Sequence, residues 1–176
     1  MEKLISFWIP DSVNTQTVIN GTGTKYSIYN TGDIKEWVNY KDSLKHGPSI
    51  EWSITGVALV EANYKHGRLD SNWTQRYSSG TIQKVCNYNN GILDGQYATY
   101  YENGDPNAEG LYAKGQKNGL WKWYTALGTI DMEGTFENDI QHGDWKYYFE
   151  SGELSYNAHF DKGKRSGFWE YFYRGG

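Results

Sequence analysis

The sequence predicts an all-β chain, an elongated single-layer antiparallel β-hairpin solenoid of 24-residue repeats. Three observations carry that prediction. Glycine recurs at Gly32, Gly56, Gly80, Gly104, Gly128, Gly152 and Gly176, a spacing of 24 without insertion. Two more glycine columns follow these anchors, by 11 residues (Gly67, Gly91, Gly115, Gly163) and by 15 (Gly47, Gly95, Gly119, Gly143, Gly167), so that with Gly23 in phase 17 of the 21 glycines fall in three columns. The composition agrees. The 176 residues include 8 Trp, 16 Tyr and 6 Phe but only 3 Pro, which favours short strands and turns, whereas a helical bundle would want leucine and alanine.

Residues 1–22 read as an N-terminal cap with an apolar plug of Leu4, Ile5, Phe7, Trp8 and Ile9, since repeat arrays need capped ends. Residues 23–176 read as the repeat array, a single domain. Seven residues before the anchors stand Trp73, Tyr97, Trp121, Trp145 and Trp169. Four before stand Ile28, Trp52, Tyr100, Tyr124, Tyr148 and Phe172, with Arg76 breaking the row. Two after stand Ile34, Ile82, Ile130 and Leu154; six after, the small residues Ala62, Cys86, Gly110, Gly134 and Ala158; eight after, Tyr40, Tyr64, Tyr88, Tyr112, Phe136 and Phe160. Strand alternation places the offsets of two, six and eight on one face. The small column there leaves room for rings on a neighbouring strand.

Turn residues such as Asn90-Gly91, Asn103-Gly104 and Ser151-Gly152 separate two apolar runs per unit, which predicts two strands and two tight turns. The first units are eroded: Ser49 and Ser53 replace aromatics, and Lys25 sits in the tryptophan column. At the other end, residues 168–173 predict an aromatic edge strand open to pairing, and a homodimer through that strand is one expected way to cover it.

Net charge is −4, and no basic stripe suggests nucleic acid. The single cysteine, Cys86, allows no internal disulfide. The N-terminal apolar run, broken at Ser6 and stopped at Pro10, does not read as a signal peptide. A cytoplasmic location is the expectation.

The pattern G-x-W-x-x-Y-[YF]-x-x-G-x-[LI], followed by an aromatic residue and x-x-G-x-x-x-G, runs best through Gly119–Gly128, Gly143–Leu154 and Gly167–Gly176. It resembles the bacterial variant of MORN (membrane occupation and recognition nexus) repeats, over roughly residues 24–176. The resemblance implies a β-hairpin solenoid. It also implies a non-enzymatic role: many bacterial members are YwqK-like antitoxins, and eukaryotic relatives act as scaffolds or at membranes. It brings no catalytic, metal or cofactor residues.

Nothing in the sequence assembles a catalytic site. His46, His66, His142 and His159 lack metal-ligand spacing; His159 falls in a strand, solvated turn residues are the reading for the group, and Cys86 reads as a buried thiol in the small column. A carbohydrate-cleaving enzyme would need a convergent carboxylate pair, which regular columns do not provide. The candidate binding surface is the row Tyr100, Tyr124, Tyr148 and Phe172, because strand parity puts it opposite the tryptophan column. Acidic residues accompany it: Glu133, Glu137, Asp139, Asp144, Glu150 and Glu153 belong to a stretch, 100–161, with 11 acidic and 4 basic side chains. An acidic, aromatic surface predicts a basic protein partner. The alternative is a membrane-surface or lipid-head-group module, favoured only by Lys162, Lys164, Arg165 and Arg174.

Overall fold

A computed structural model describes residues 17–174. Its strands are β1 (Thr17–Ile19), β2 (Thr22–Ile28), β3 (Ile34–Lys41), β4 (Leu44–Trp52), β5 (Ala58–Lys65), β6 (Arg68–Arg76) and β7 (Ile82–Asn89). They continue as β8 (Ile92–Tyr100), β9 (Pro106–Ala113), β10 (Gln116–Tyr124), β11 (Ile130–Glu137), β12 (Ile140–Tyr148), β13 (Leu154–Asp161) and β14 (Lys164–Tyr171). All 14 form one antiparallel sheet in sequence order, and β1 does not pair with β14, so the sheet is open. At about 4.8 Å per strand it extends for roughly 60 Å. The proposed plug of Leu4, Ile5, Phe7, Trp8 and Ile9, and the anchor Gly176, lie outside the described residues. Within the segment read as a cap, Thr17–Ile19 already pairs with β2.

Two kinds of connection alternate along the sheet. On one side the strands are joined by short turns, such as His66-Gly67, Asn90-Gly91 and Lys114-Gly115, in which both central residues have positive φ. That is the type I′ geometry, whose twist matches the flanking strands. Successive turns are stitched together: Gly67, Gly91 and Gly115 donate their amide hydrogens to the carbonyls of Lys45, Leu69 and Leu93, at 2.7–2.8 Å. On the other side the connections are longer loops, 101–105 being one, rather than a second tight turn. Tyr101 N bonds Asp105 O at 2.8 Å, and the anchor Gly104 closes back on Tyr101 O at 2.9 Å.

Each repeat also carries two bulges. The first falls just after the long loop. Trp123 opposes Met132 but Tyr124 opposes Ile130, leaving Asp131 extra. This corrects one expectation: Ile34, Ile82, Ile130 and Leu154 do not share a face with the offsets of six and eight, because the extra residue turns them to the opposite side. The second bulge explains the third glycine column, which is not at a turn. Asn118 pairs with Leu111 and Lys122 with Glu109, so residues 119–121 lie opposite Gly110 alone. Gly119 makes this possible at φ 76°.

The second bulge sets the tryptophans. Trp121 lies across Gly110 and Trp145 across Gly134, so close that a Cβ on either glycine would overlap the ring. Both indoles are 2 % exposed, although the sheet has a single layer. Each indole N–H donates to a carbonyl freed by the bulge: Trp121 Nε1 to Leu111 O at 3.1 Å, Trp145 Nε1 to Thr135 O at 3.2 Å. Ring contacts then run unbroken from Tyr97 through Trp121, Trp123, Trp145, Tyr147 and Tyr156 to Tyr171. This indole face is the core, and its rings are spent largely on one another.

Candidate functional site

The opposite face, here the tyrosine face, is built by the residues that alternate with the tryptophans. Tyr100, Tyr124 and Tyr148 end β8, β10 and β12, pair with Pro106, Ile130 and Leu154, and are half-buried. Phe172 follows β14 at the same repeat position and is 41 % exposed. Next to this row runs a charged one, in which Glu109, Lys122, Glu133 and Lys146 are successive cross-strand partners. The alternation of sign is favourable for opposed side chains.

The two rows are tied together. Tyr124 donates its phenolic hydrogen to Glu109 at 2.6 Å, and Tyr148 to Glu133 at 2.8 Å. Burial, reinforced by these neutral-form hydrogen bonds and the nearby carboxylates, pushes both phenols from 10.0 up to about 12. Glu133 also lies 3.9 Å from Lys146. In the row's earlier part Arg76 takes the tyrosine position and reaches Glu61 at 2.6 Å, so the break seen in sequence conserves the link by other means.

Beyond the charged row, the tyrosine face exposes large apolar side chains. Leu111 is 48 % exposed, Leu120 52 % and Phe168 94 %. The contrast with the indole face holds except at its edge: there Trp121, Trp145 and Phe160 are buried and only the terminal Tyr171 is 66 % exposed, whereas here several large apolar groups meet solvent.

The ten residues singled out in the sequence separate into three places. Tyr100, Tyr124, Tyr148, Phe172, Glu133 and Asp144 go with the tyrosine face. Glu150 and Glu153 lie in the long loop that continues from Tyr148 and so border the tyrosine row. Glu102 and Asp105 border it in the same way beside Tyr100, and none of these four acids forms an ion pair among the described residues. Glu137 and Asp139 lie at the short-turn side, away from that rim. There Asp139 caps the backbone, accepting from Lys117 N at 2.8 Å.

Sequence reading counted Glu109 only as one of the acids of the stretch 100–161, and missed Leu111, Leu120 and Phe168 as members of this face. It also missed Tyr29, Tyr77 and Tyr101, whose hydroxyls donate to Trp52, Tyr100 and Tyr124 carbonyls of the following repeat at 2.7–2.9 Å. Their shared offset, three before the anchor, was the available signal. The histidines are not all solvated turn residues. Only His66 is in a turn; it meets His46 of β4 edge-on at 5.3 Å, and His159 of β13 lies 2.6 Å from Asp144. Among the described residues no three potential ligands cluster to hold a metal, and no helix is long and apolar enough to cross a membrane.

Three consecutive segments, residues 93–114, 117–138 and 141–162, match the family model described as a MORN repeat variant. Each runs from the second strand of one hairpin through a long loop into the next strand and short turn, so the family's unit coincides with the structural repeat. No curated protein matches the chain.

Proposed function

We propose that this chain is a non-enzymatic repeat scaffold that docks a basic protein on the tyrosine face of β8–β14. The observation that carries the reading is the asymmetry of the sheet. One face packs its rings against itself; the other leaves Leu111, Leu120 and Phe168 exposed beside a row of tyrosines held in place by carboxylates. Aromatic anchors fixed before binding lose little side-chain freedom when a partner arrives. The acids Glu102, Asp105, Glu150 and Glu153 along the loop rim, which form no ion pair among the described residues, would steer a cationic surface onto that row. MORN-type repeats in residues 93–162 fit a scaffold of this kind. In this reading the chain acts by occupying its partner's surface, as an antitoxin or immunity-type protein does.

The test is affinity capture from native cells with three baits: the unaltered chain, Leu120→Asp/Phe168→Asp, and Glu150→Lys/Glu153→Lys. The reading expects one basic protein on the first bait, its loss on the second and a salt-sensitive weakening on the third. Equal capture by all three baits would overturn it. The second reading is an anionic membrane surface, favoured by the exposed cluster Lys162, Lys164 and Arg165. Flotation with phosphatidylserine vesicles, lost on charge reversal of that cluster, would select it instead.

A further inference from the structure

On the indole face one cross-strand row loses its rings on the N-terminal side of Trp123. From there toward the C-terminus, the cross-strand row is Trp123, Met132, Tyr147, Tyr156 and Tyr171. Toward the N-terminus the same row continues as Ala108, Thr99, Lys84 and Gln75. Short and polar side chains leave space where rings stand in later repeats. The result is a cleft of about 310 Å³, lined by Gln75, Gln83, Lys84, Thr99, Tyr100 and Asn107 and flanked by Tyr77 and Tyr101 of successive long loops. That volume is at the lower end of the roughly 300–1,000 Å³ of small-molecule sites.

The chemistry of the lining is specific. The carboxamides of Gln75 and Gln83 have no hydrogen-bond partner among the described residues. The amide of Asn107 is oriented by Thr99, whose hydroxyl donates to Asn107 Oδ1 at 3.2 Å and leaves Nδ2 free to donate. Lys84 is half-buried over the Trp73 ring, 4.6 Å from its centroid, with no carboxylate partner among the described residues and no acid in the cleft wall. The two tyrosines are held from below, Tyr77 by Tyr100 O and Tyr101 by Tyr124 O. Half-buried polar groups that keep free donors and acceptors toward a concave space suit a ligand site.

We propose that this cleft binds the carboxylate-bearing ring of a sugar acid. The three carboxamides match ring hydroxyls as donors and acceptors, the flanking phenol rings supply apolar walls, and Lys84 meets the carboxylate in a charge-assisted hydrogen bond. Tyr100, the first member of the tyrosine row, also borders this cleft, so the cleft adjoins the N-terminal end of the docking surface.

The experiment is an amide chemical-shift titration of the full chain with D-glucuronate, with D-glucose, and with an oligosaccharide ending in glucuronate. Shifts confined to Gln75, Gln83, Lys84, Asn107 and their neighbours are expected, with glucuronate about tenfold tighter than glucose, the worth of one charge-assisted bond. Lys84→Gln should bring glucuronate down to the glucose level. Asn107→Asp retains the acceptor for Thr99 but sets a carboxylate beside Lys84, and should abolish glucuronate binding. Tighter binding of the oligosaccharide would identify a polysaccharide end as the source, and equal binding the free sugar acid. No response to any probe, or a response indifferent to both substitutions, overturns the proposal.

Discussion

Gly134 and Ser71 show how much one position decides. Gly134 is required by contact: the Trp145 ring lies where its Cβ would be. Gly134→Ala is therefore expected to cost about 1–3 kcal/mol, as overpacked cores do, read as a lowered thermal midpoint. Ser71 is the opposite case. It stands in the third glycine column with φ 66°, a left-handed conformation that charges a β-carbon for its place. Ser71→Gly should raise stability by about 0.5–1 kcal/mol in denaturant unfolding, after allowing for the freer unfolded chain. Both positions were visible in the sequence as column members. What was not visible is the difference between them, since spacing records that glycine recurs and not whether φ or a neighbouring ring demands it.

At the scale of the element, the strand is interrupted twice per repeat, and the interruptions set which side chain faces where. Strict alternation predicted correctly that Tyr124 opposes Trp121 in facing, because no bulge lies between them on β10. It misplaced Ile130, because the extra residue Asp131 has no distinguishing composition. The Tyr124–Glu109 and Tyr148–Glu133 links join neighbouring strands, β10 to β9 and β12 to β11, and each has a pH signature. Their folded phenols titrate at about 12, against 10.0 ordinarily. A raised folded value favours the protonated form, so the contribution to stability is complete below pH 10.0 and is lost as pH rises toward about 12. Tyr124→Phe/Tyr148→Phe should flatten this alkaline decline, measured by chemical unfolding across that window; an unchanged slope would deny the link. The hydroxyl of Tyr101 offers a simpler check. Tyr101→Phe removes its bond to Tyr124 O and should cost about 1 kcal/mol.

For the whole molecule, an open sheet with one largely self-packed face and one exposing apolar side chains fits the proposed role of presenting a surface. The repeat architecture was legible because the 24-residue period never slips between Gly32 and Gly176. The candidate face was legible in part: Tyr100, Tyr124, Tyr148 and Phe172 came from column parity, whereas Leu111, Leu120 and Phe168 did not, since an apolar residue in a strand gives no sign of which face it joins until the bulges are placed. The acids were read as one surface, but the turns distribute them between a rim beside the tyrosines and the far side of the sheet. The most direct test of the docking face is hydroxyl-radical footprinting of the chain, free and bound to the protein it captures. The account predicts protection at Leu111, Leu120, Phe168 and Phe172, with Trp123, Tyr147 and Tyr171 unchanged. Protection of Trp123, Tyr147 and Tyr171 with the leucines still labelled would place the partner on the indole face and contradict it.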